Sequence, residues 1–368
     1  MSDKASTYGS VGVDYDTLDA AKRRAVAQAL ATSPMLAHHG GRALDESRGE
    51  TAFVFEFDGR TMAIVLECLG TKSMLARDFQ ERTGMDRFAD IAFDSVAAIV
   101  NDLCCVGALP LVVNAYFATG SGDWYGAGSR LESLVSGWRS ACEAAGATWG
   151  GGESPTLPGL IEPDEIDLAG CAIGYVPDGA RPILGDDLAP GDAIVLVAST
   201  GLHANGASLA RKVAAESPDG LETLLGDGRT LGDAVLVPAP VYVSFVQTLI
   251  ERSLPVTYLS HVTGHGMRKL MRARPEVTYR LNALPDVPEV LSFLVDRLGM
   301  DAREAYGTFN MGAGFAVYCR QEAAGDVVAA ARDTGHGALV AGIVEEGPKR
   351  VVLEPVAVEF GSEDLNLR

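Results

Sequence analysis

Apolar positions along this chain follow two rhythms, one near 3.6 residues and one of alternation or short continuous runs, and the two take turns. Leu18, Ala21, Ala25, Ala29 and Leu30 keep helical spacing, which predicts a helix from Asp16, as its cap, to about Thr32. His38-His39-Gly40-Gly41 reads as loop. Residues 52–57 and 61–67 alternate on either side of Asp58-Gly59, a pair that readily takes the positive φ angles of a tight hairpin. A long apolar helix is predicted over 88–106, a buried strand over 109–118, a helix over about 127–145 and a strand over 166–176. After a Pro/Gly/Asp-rich linker at 177–192, strands at 193–198, 256–259, 314–319, 338–344 and 351–354 alternate with helices at 206–215, 241–252, 288–299 and 323–334. Alternation with glycine-bearing joints predicts an α/β (α+β) fold. The 368 residues exceed one comfortable core, so two domains are expected, 1–176 and 177–360, with 361–368 as a tail.

Composition narrows the function classes. The net charge is −19, from 30 basic and 49 acidic residues, with no basic run. Such a surface repels a phosphate backbone, so no nucleic-acid partner is expected, although one small phosphorylated metabolite in a local site is compatible with it. No apolar run approaches the roughly 20 residues of a membrane span. The polar opening, residues 1–12, lacks the apolar core of an export signal, so a cytoplasmic protein is expected; residues 1–15 are expected to be mobile or ordered by ligand. The six cysteines show no CxxC and no framework, and read as reduced, mostly buried thiols; Cys68 stands apart because it lies in a loop that could carry chemistry.

Polar residues in apolar surroundings mark the candidate site. Asp94, Asn101 and Asp102 lie toward one side of the otherwise apolar 88–106 helix, 94 and 101 within about 20° of each other and 102 within about 80°. Buried carboxylates need a cation or donors; Mg²⁺ suits them, and a cap or salt bridge suits them equally. Glu67 ends a predicted strand five residues before Lys72, across Cys68-Leu69-Gly70-Thr71, an arrangement that can hold metal and phosphate together. Gly150-Gly151-Gly152-Glu153 permits close backbone approach or a plain turn. Gly201-Leu202-His203-Ala204-Asn205-Gly206 leads into a helix with Ser208, whose first amides suit an anion unless Asn205 merely caps it. His261 and His265 flank Thr263-Gly264, but the glycines read as loop and no third zinc ligand follows. Neither a Walker nor a Rossmann glycine pattern is present.

Taken in order, these segments resemble the aminoimidazole ribonucleotide synthetase family, the phosphoribosylformylglycinamidine cyclo-ligases. Glu67 to Lys72 resembles the family's DGVGTK. Ile91 to Leu103 and Gly107 to Pro110 match I-x-x-D-x-x-A-x-x-V-N-D-L and G-A-x-P. Tyr116 to Gly120, Gly151 to Gly159, Asp167 to Gly170, Ser199 to Lys212, 261–266 and 306–314 match further family segments, so the likeness spans nearly the whole chain. The resemblance implies two α/β domains, a homodimer pairing its N-terminal halves through a β-barrel, ATP with Mg²⁺, and a purine-biosynthesis ligase reaction. An amide oxygen takes the γ-phosphoryl group and an internal amine then displaces it.

By resemblance, Glu67, Asp94 and Asp102 hold the metal, and Lys72, Asp94, Asp102 and His203 act in catalysis. Gly70, Thr71, Lys72, Asn101, Gly151, Gly152 and Glu153 meet the nucleotide, while His203, Asn205, Gly206, Ser208, His261, Thr263 and Asn310 face the substrate. The chain departs from the pattern at Glu67 (Asp in the family), Cys68-Leu69 (Gly-Val), Gly9 (Lys), Ala115 (Asp), Thr156 (often Glu) and His265 (Gly). Several departures fall where substrate is read. Two alternatives therefore stand beside the cyclo-ligase: a relative with the same ATP chemistry on another small metabolite, as in thiamine-phosphate kinase or selenophosphate synthetase, and a non-catalytic nucleotide-binding subunit.

Overall fold

A computed structural model describes residues 15–126 and 128–365; the expectation for the first residues of the chain lies almost entirely outside them. Helix α1 (Tyr15–Leu30) includes Asp16, and a 3-10 turn (Ser33–His39) takes in the two histidines read as loop. There follow strands β1 (Arg42–Leu44), β2 (Phe53–Phe57) and β3 (Arg60–Cys68), helices α2 (Lys72–Thr83) and α3 (Phe88–Cys104), and strand β4 (Leu109–Thr119). Helices α4 (Asp123–Gly126) and α5 (Arg130–Ala144) then precede strands β5 (Thr148–Glu153) and β6 (Ile166–Tyr175). The six strands form one sheet in the order β1-β2-β3-β6-β4-β5, antiparallel except for β4 with β5. The β2–β3 hairpin turns through Asp58 (φ 51°) and Gly59 (φ 74°), the left-handed pair that its sequence predicts.

One face of this sheet is packed. Ile91, Val96, Ile99 and Val100 of α3 are fully buried against it, and α5 lies so close to α3 that a Cβ on Gly137 would sit 2.1 Å from the Ala89 carbonyl oxygen. On the opposite face Phe57, Ile64, Leu66 and Leu111 stay exposed, Leu66 by 72%.

The second half contains β7 (Ala193–Ala198), α6 (Ala207–Glu216), α7 (Leu231–Val235), α8 (Val243–Glu251), β8 (Val256–His261) and β9 (Val277–Leu281). It continues through α9 (Glu289–Leu298), α10 (Ala302–Thr308), β10 (Ala313–Cys319), α11 (Ala324–Asp333), β11 (Ala338–Glu346), β12 (Arg350–Leu353) and β13 (Val358–Gly361). Its sheet runs β13-β12-β9-β11-β7-β10-β8, antiparallel except for β12 with β9. Strand β7, a continuous apolar run, lies centrally with Ile194 to Val197 fully buried, as expected for a strand covered on both faces.

Five sequence readings change. Gly150 to Glu153 is part of edge strand β5 rather than a loop, because its glycines let it lie directly on β4, where a Cβ at Gly152 would strike the Ala115 carbonyl. The helix read at about 127–145 is α5, which starts only at Arg130 because Gly128 (φ 62°) turns the chain ahead of it, after the separate short helix α4. Residues 302–308 form helix α10, absent from the sequence reading, which Asp301 caps by accepting from the Glu304 amide. Strand β9 went unread because its five residues are too few to show a period. Gly361 is not the start of a tail but the last residue of β13, whose Val358 and Phe360 are buried.

The two halves are joined by the polar residues of α3. Asp94 makes an ion pair with Lys72, both wholly buried, and accepts from the Ala239 amide at 2.6 Å, while Lys72 also donates to the His203 carbonyl at 2.9 Å. Asn101 donates to the Pro240 carbonyl and accepts from the Tyr242 amide, both at 2.8 Å. No helix among the described residues is long and apolar enough to cross a membrane. Removing one member of a buried pair strands its partner, so Asp94→Ala is expected to lower the unfolding free energy by about 3–5 kcal/mol in urea titration. Lys72→Met combined with Asp94→Leu is expected to cost less than that single change; an Asp94→Ala protein as stable as the wild type would show that the pair is no clamp.

Candidate active site

Where β3 ends, its last residues meet the C-terminal end of α3 and the end of β8. The three enclose, with the 263–272 segment, a cavity of about 360 Å³. Glu67, Asp102, Asn205, His261 and Thr263, all read from sequence as site residues, line it. Asp102 faces His261, with Oδ1 2.6 Å from Nδ1. A carboxylate only accepts, so Nδ1 carries the proton. Burial alone would raise the Asp102 pKa, but the His261 hydrogen bond and charge, with Lys269 and Arg272, outweigh it and hold the group below its ordinary value. Glu67 behaves oppositely. Burial and the charge on Asp102 push it up from 4.5 to about 7, against the pull of Lys269, Lys22 and Arg272.

The two glycine-bearing loops predicted to meet anions come together. Thr71 and Ser208 share a hydroxyl–hydroxyl hydrogen bond of 2.8 Å, which brings the start of α2 beside the start of α6. No side chain caps either helix; Gly206 (φ 97°), not Asn205, is the N-cap of α6, and Gly70 (φ 69°) precedes that of α2. Two adjacent positive helix ends with open amides favour an anion between them.

Other candidates sit elsewhere. Asp94 and Lys72 are spent on each other and on the 203 and 239 backbone, beneath the cavity rather than on its wall, so the salt-bridge alternative is the one observed for Asp94. Asn101 is likewise engaged by 240–242. His203 is 6% exposed at φ 61°; its Nε2 accepts from the Thr200 amide at 3.3 Å, and burial with the charges of His261 and Lys72 holds it uncharged, its pKa lowered to about 3. Its Nδ1 has no partner among the described residues. Asn310 ties two loops: its Oδ1 accepts from Ser199 Oγ at 2.8 Å and from the Gly312 amide at 3.0 Å, and its Nδ2 donates to the Gly201 carbonyl at 2.8 Å. Gly151, Gly152 and Glu153 are exposed on β5, three strands or about 14 Å across the sheet from β3.

Four cysteines are buried and Cys171 half-buried, while Cys68 is exposed at the cavity rim; burial and Glu67 raise its pKa, so it is no activated thiolate. Sequence reading passed over Lys269, Arg272 and Glu50 on the same wall. The run Arg268-Lys269 to Arg272, directly after the 261–266 segment, was the available signal.

Among the described residues no group of three or more His, Cys, Asp or Glu side chains is placed to hold a metal. Glu67 and Asp102 remain a mutually repelling pair on one wall, which fits a Mg²⁺ ion that takes one or two carboxylates and finds its other ligands in phosphate and water. Because the Glu67 pKa is raised on folding, its contribution to stability is full below 4.5 and is lost as pH rises through about 7. Metal-free protein is therefore expected to lose stability over that interval relative to Glu67→Gln, whose urea midpoint changes less; parallel profiles for the two proteins would refute the raised pKa.

Known proteins supply an independent comparison. The family model "AIR synthase related protein, N-terminal domain" matches residues 49–176, and that of its C-terminal domain matches 189–354. A phosphoribosylformylglycinamidine cyclo-ligase of Methanothermobacter thermautotrophicus is 34% identical over 354 residues, covering 95% of this chain and 97% of that protein. One from Oceanobacillus iheyensis is 37% identical over 258 residues, 69% of this chain and 72% of its own. In structure, the hydrogenase maturation protein HypE superposes with a TM-score of 0.60 at 20% identity, over 83% of this chain and 88% of that one, and HypE in complex with ATP gives 0.58 at 18%, over 81% and 83%. These last likenesses concern the fold alone. With both domain models matched in order and a relative aligned over nearly its full length, the chain belongs to the AIR synthase related protein family.

Proposed function

We propose that this protein is an ATP-dependent ligase of the phosphoribosylformylglycinamidine cyclo-ligase type, forming a C–N bond within a small phosphorylated metabolite. The observation that carries the reading is the meeting of two uncapped helix starts, at Thr71 and Ser208, beside a wall bearing Glu67 and Asp102. Open amides at the starts of α2 and α6 receive phosphate oxygens, and the paired carboxylates receive the divalent ion that travels with them. When bound, MgATP supplies the phosphoryl group that turns an amide oxygen into a leaving group. Little covalent chemistry is then left to the protein, which acts by positioning and by neutralising charge.

The residues divide that work. Asp102, kept ionised by His261, offers a fixed charge at the cavity floor; the same hydrogen bond fixes the His261 ring on a wall that also carries Asn205 and Thr263. Lys72 and Asp94 act one layer below: by gripping the His203 carbonyl and the Ala239 amide they hold the α6 start against the α2 start. The names of the relatives and the ATP-bound HypE fold support this reading.

The homodimer belongs to the same proposal. Phe57, Ile64, Leu66 and Leu111 expose an apolar sheet face that a second copy would cover, and such a face is costly to leave in water. Purified protein given formylglycinamidine ribonucleotide and MgATP is expected to release ADP and phosphate in step with an aminoimidazole product. Asp102→Asn is expected to lower turnover by about 10² or more while the protein stays folded. Undiminished ATP consumption by that variant, or no imidazole at high enzyme concentration, would overturn the proposal.

A further inference from the structure

Most charges on the cavity wall already have a counterpart; Glu67 and Lys269 do not. Asp102 has His261; Arg272 donates to the Gly49 carbonyl at 3.0 Å and lies 3.9 Å from Glu50, which also accepts from the Tyr258 hydroxyl at 2.7 Å. Lys269 is different. Its carbonyl accepts from Ser260 Oγ at 3.0 Å, but its ammonium makes no hydrogen bond and no ion pair among the described residues. It is nevertheless half-buried on the wall, feeling Glu67 and Asp102 only through space. An ammonium withdrawn from water without a direct partner is costly, and structures keep such groups where something else will meet them.

A second observation lies four residues upstream. His265 lines the same cavity, is 3% exposed, and holds φ at 72°, where a side chain other than glycine's costs on the order of 1 kcal/mol. Strain of this kind accumulates at ligand-binding positions because the surrounding contacts over-determine the backbone there. The 263–269 turn thus places an imidazole and an uncommitted ammonium on one wall. Thr71 and Ser208, at the paired helix starts assigned to the nucleotide phosphates, are not among the residues that line this cavity.

Resting on the ligase reading above, we infer that Lys269, with His265 beside it, takes an oxyanion of the acceptor substrate, a phosphate or carboxylate group carried by the molecule that is phosphorylated rather than by the nucleotide. Lys269 is then the specificity-determining cation of the acceptor subsite, which selects anionic acceptors over neutral ones.

Calorimetric titration of the full chain with inorganic phosphate and with succinate, each with and without saturating Mg²⁺–AMP-PNP, tests this. The wild type is expected to bind at least one of the two anions whether or not nucleotide is present, and the stronger probe identifies the group. Lys269→Met is expected to weaken that binding at least tenfold, Lys269→Arg to keep it within threefold, and both to bind Mg²⁺–AMP-PNP within twofold of the wild type. Thermal unfolding of both variants at or above the wild-type midpoint is expected, since each leaves the fold's own contacts intact. Anion binding unchanged in Lys269→Met, absent from the wild type, or displaced by nucleotide would overturn the inference. Failure to bind Mg²⁺–AMP-PNP would instead remove the ligase reading and leave a Lys269-dependent anion subsite standing.

Discussion

The ion pair between Lys72 and Asp94 is the constraint around which the site is arranged. Both side chains are wholly buried, one at the first turn of α2 and one in the middle of α3, and each also grips a backbone group from the second half of the chain. A buried pair is seldom a net source of stability; its strength is geometric, because neither charge tolerates displacement from the other. Here that intolerance is spent on register between halves. The His203 carbonyl and the Ala239 amide cannot move without exposing a charge to an apolar interior, and Asn101 repeats the arrangement two turns along the same helix. Asp102, the next residue, emerges from this anchored stretch into the cavity with its direction set.

Positions that build the site and positions that support it are interleaved on α3, which explains what the sequence could and could not disclose. Three oxygen-bearing residues on an apolar helix stand out in the sequence, and in the structure each is buried and hydrogen-bonded to a group from the second half of the chain. Their division of labour was not legible: 94 and 101 differ from 102 only by which neighbour from residues 203–242 reaches them, and that depends on packing between halves more than a hundred residues apart. The hairpin at Asp58-Gly59 and the central strand β7 were legible because turn chemistry and continuous apolarity are local signals. Strand β5 was not, since four of its six residues are Gly150, Gly151, Gly152 and Glu153, whose strand state is imposed by β4 alongside.

Lys269 and His265 show the same limit in the site. A basic residue in a polar run carries no mark of whether its charge will be neutralised, and a histidine in a glycine-bearing loop carries no mark of positive φ. Both properties appear only once β8, the 263–272 segment and the end of β3 stand next to one another. Asn310 is the converse case: a residue that reads as a ligand contact because it sits in a glycine-rich segment, yet whose amide oxygen and nitrogen stitch loops 199–201 and 310–312 together.

Strand β3 carries a further consequence. Its alternation turns Glu67 inward to the cavity while Leu66 beside it looks out from the bare apolar face of the sheet. Backbone shifts of one face of a strand are necessarily shifts of the other. Anything that covered Leu66 would therefore press on the same stretch of backbone that sets the height of Glu67 above Asp102, so the outer face of the sheet and the spacing of the two carboxylates share one support.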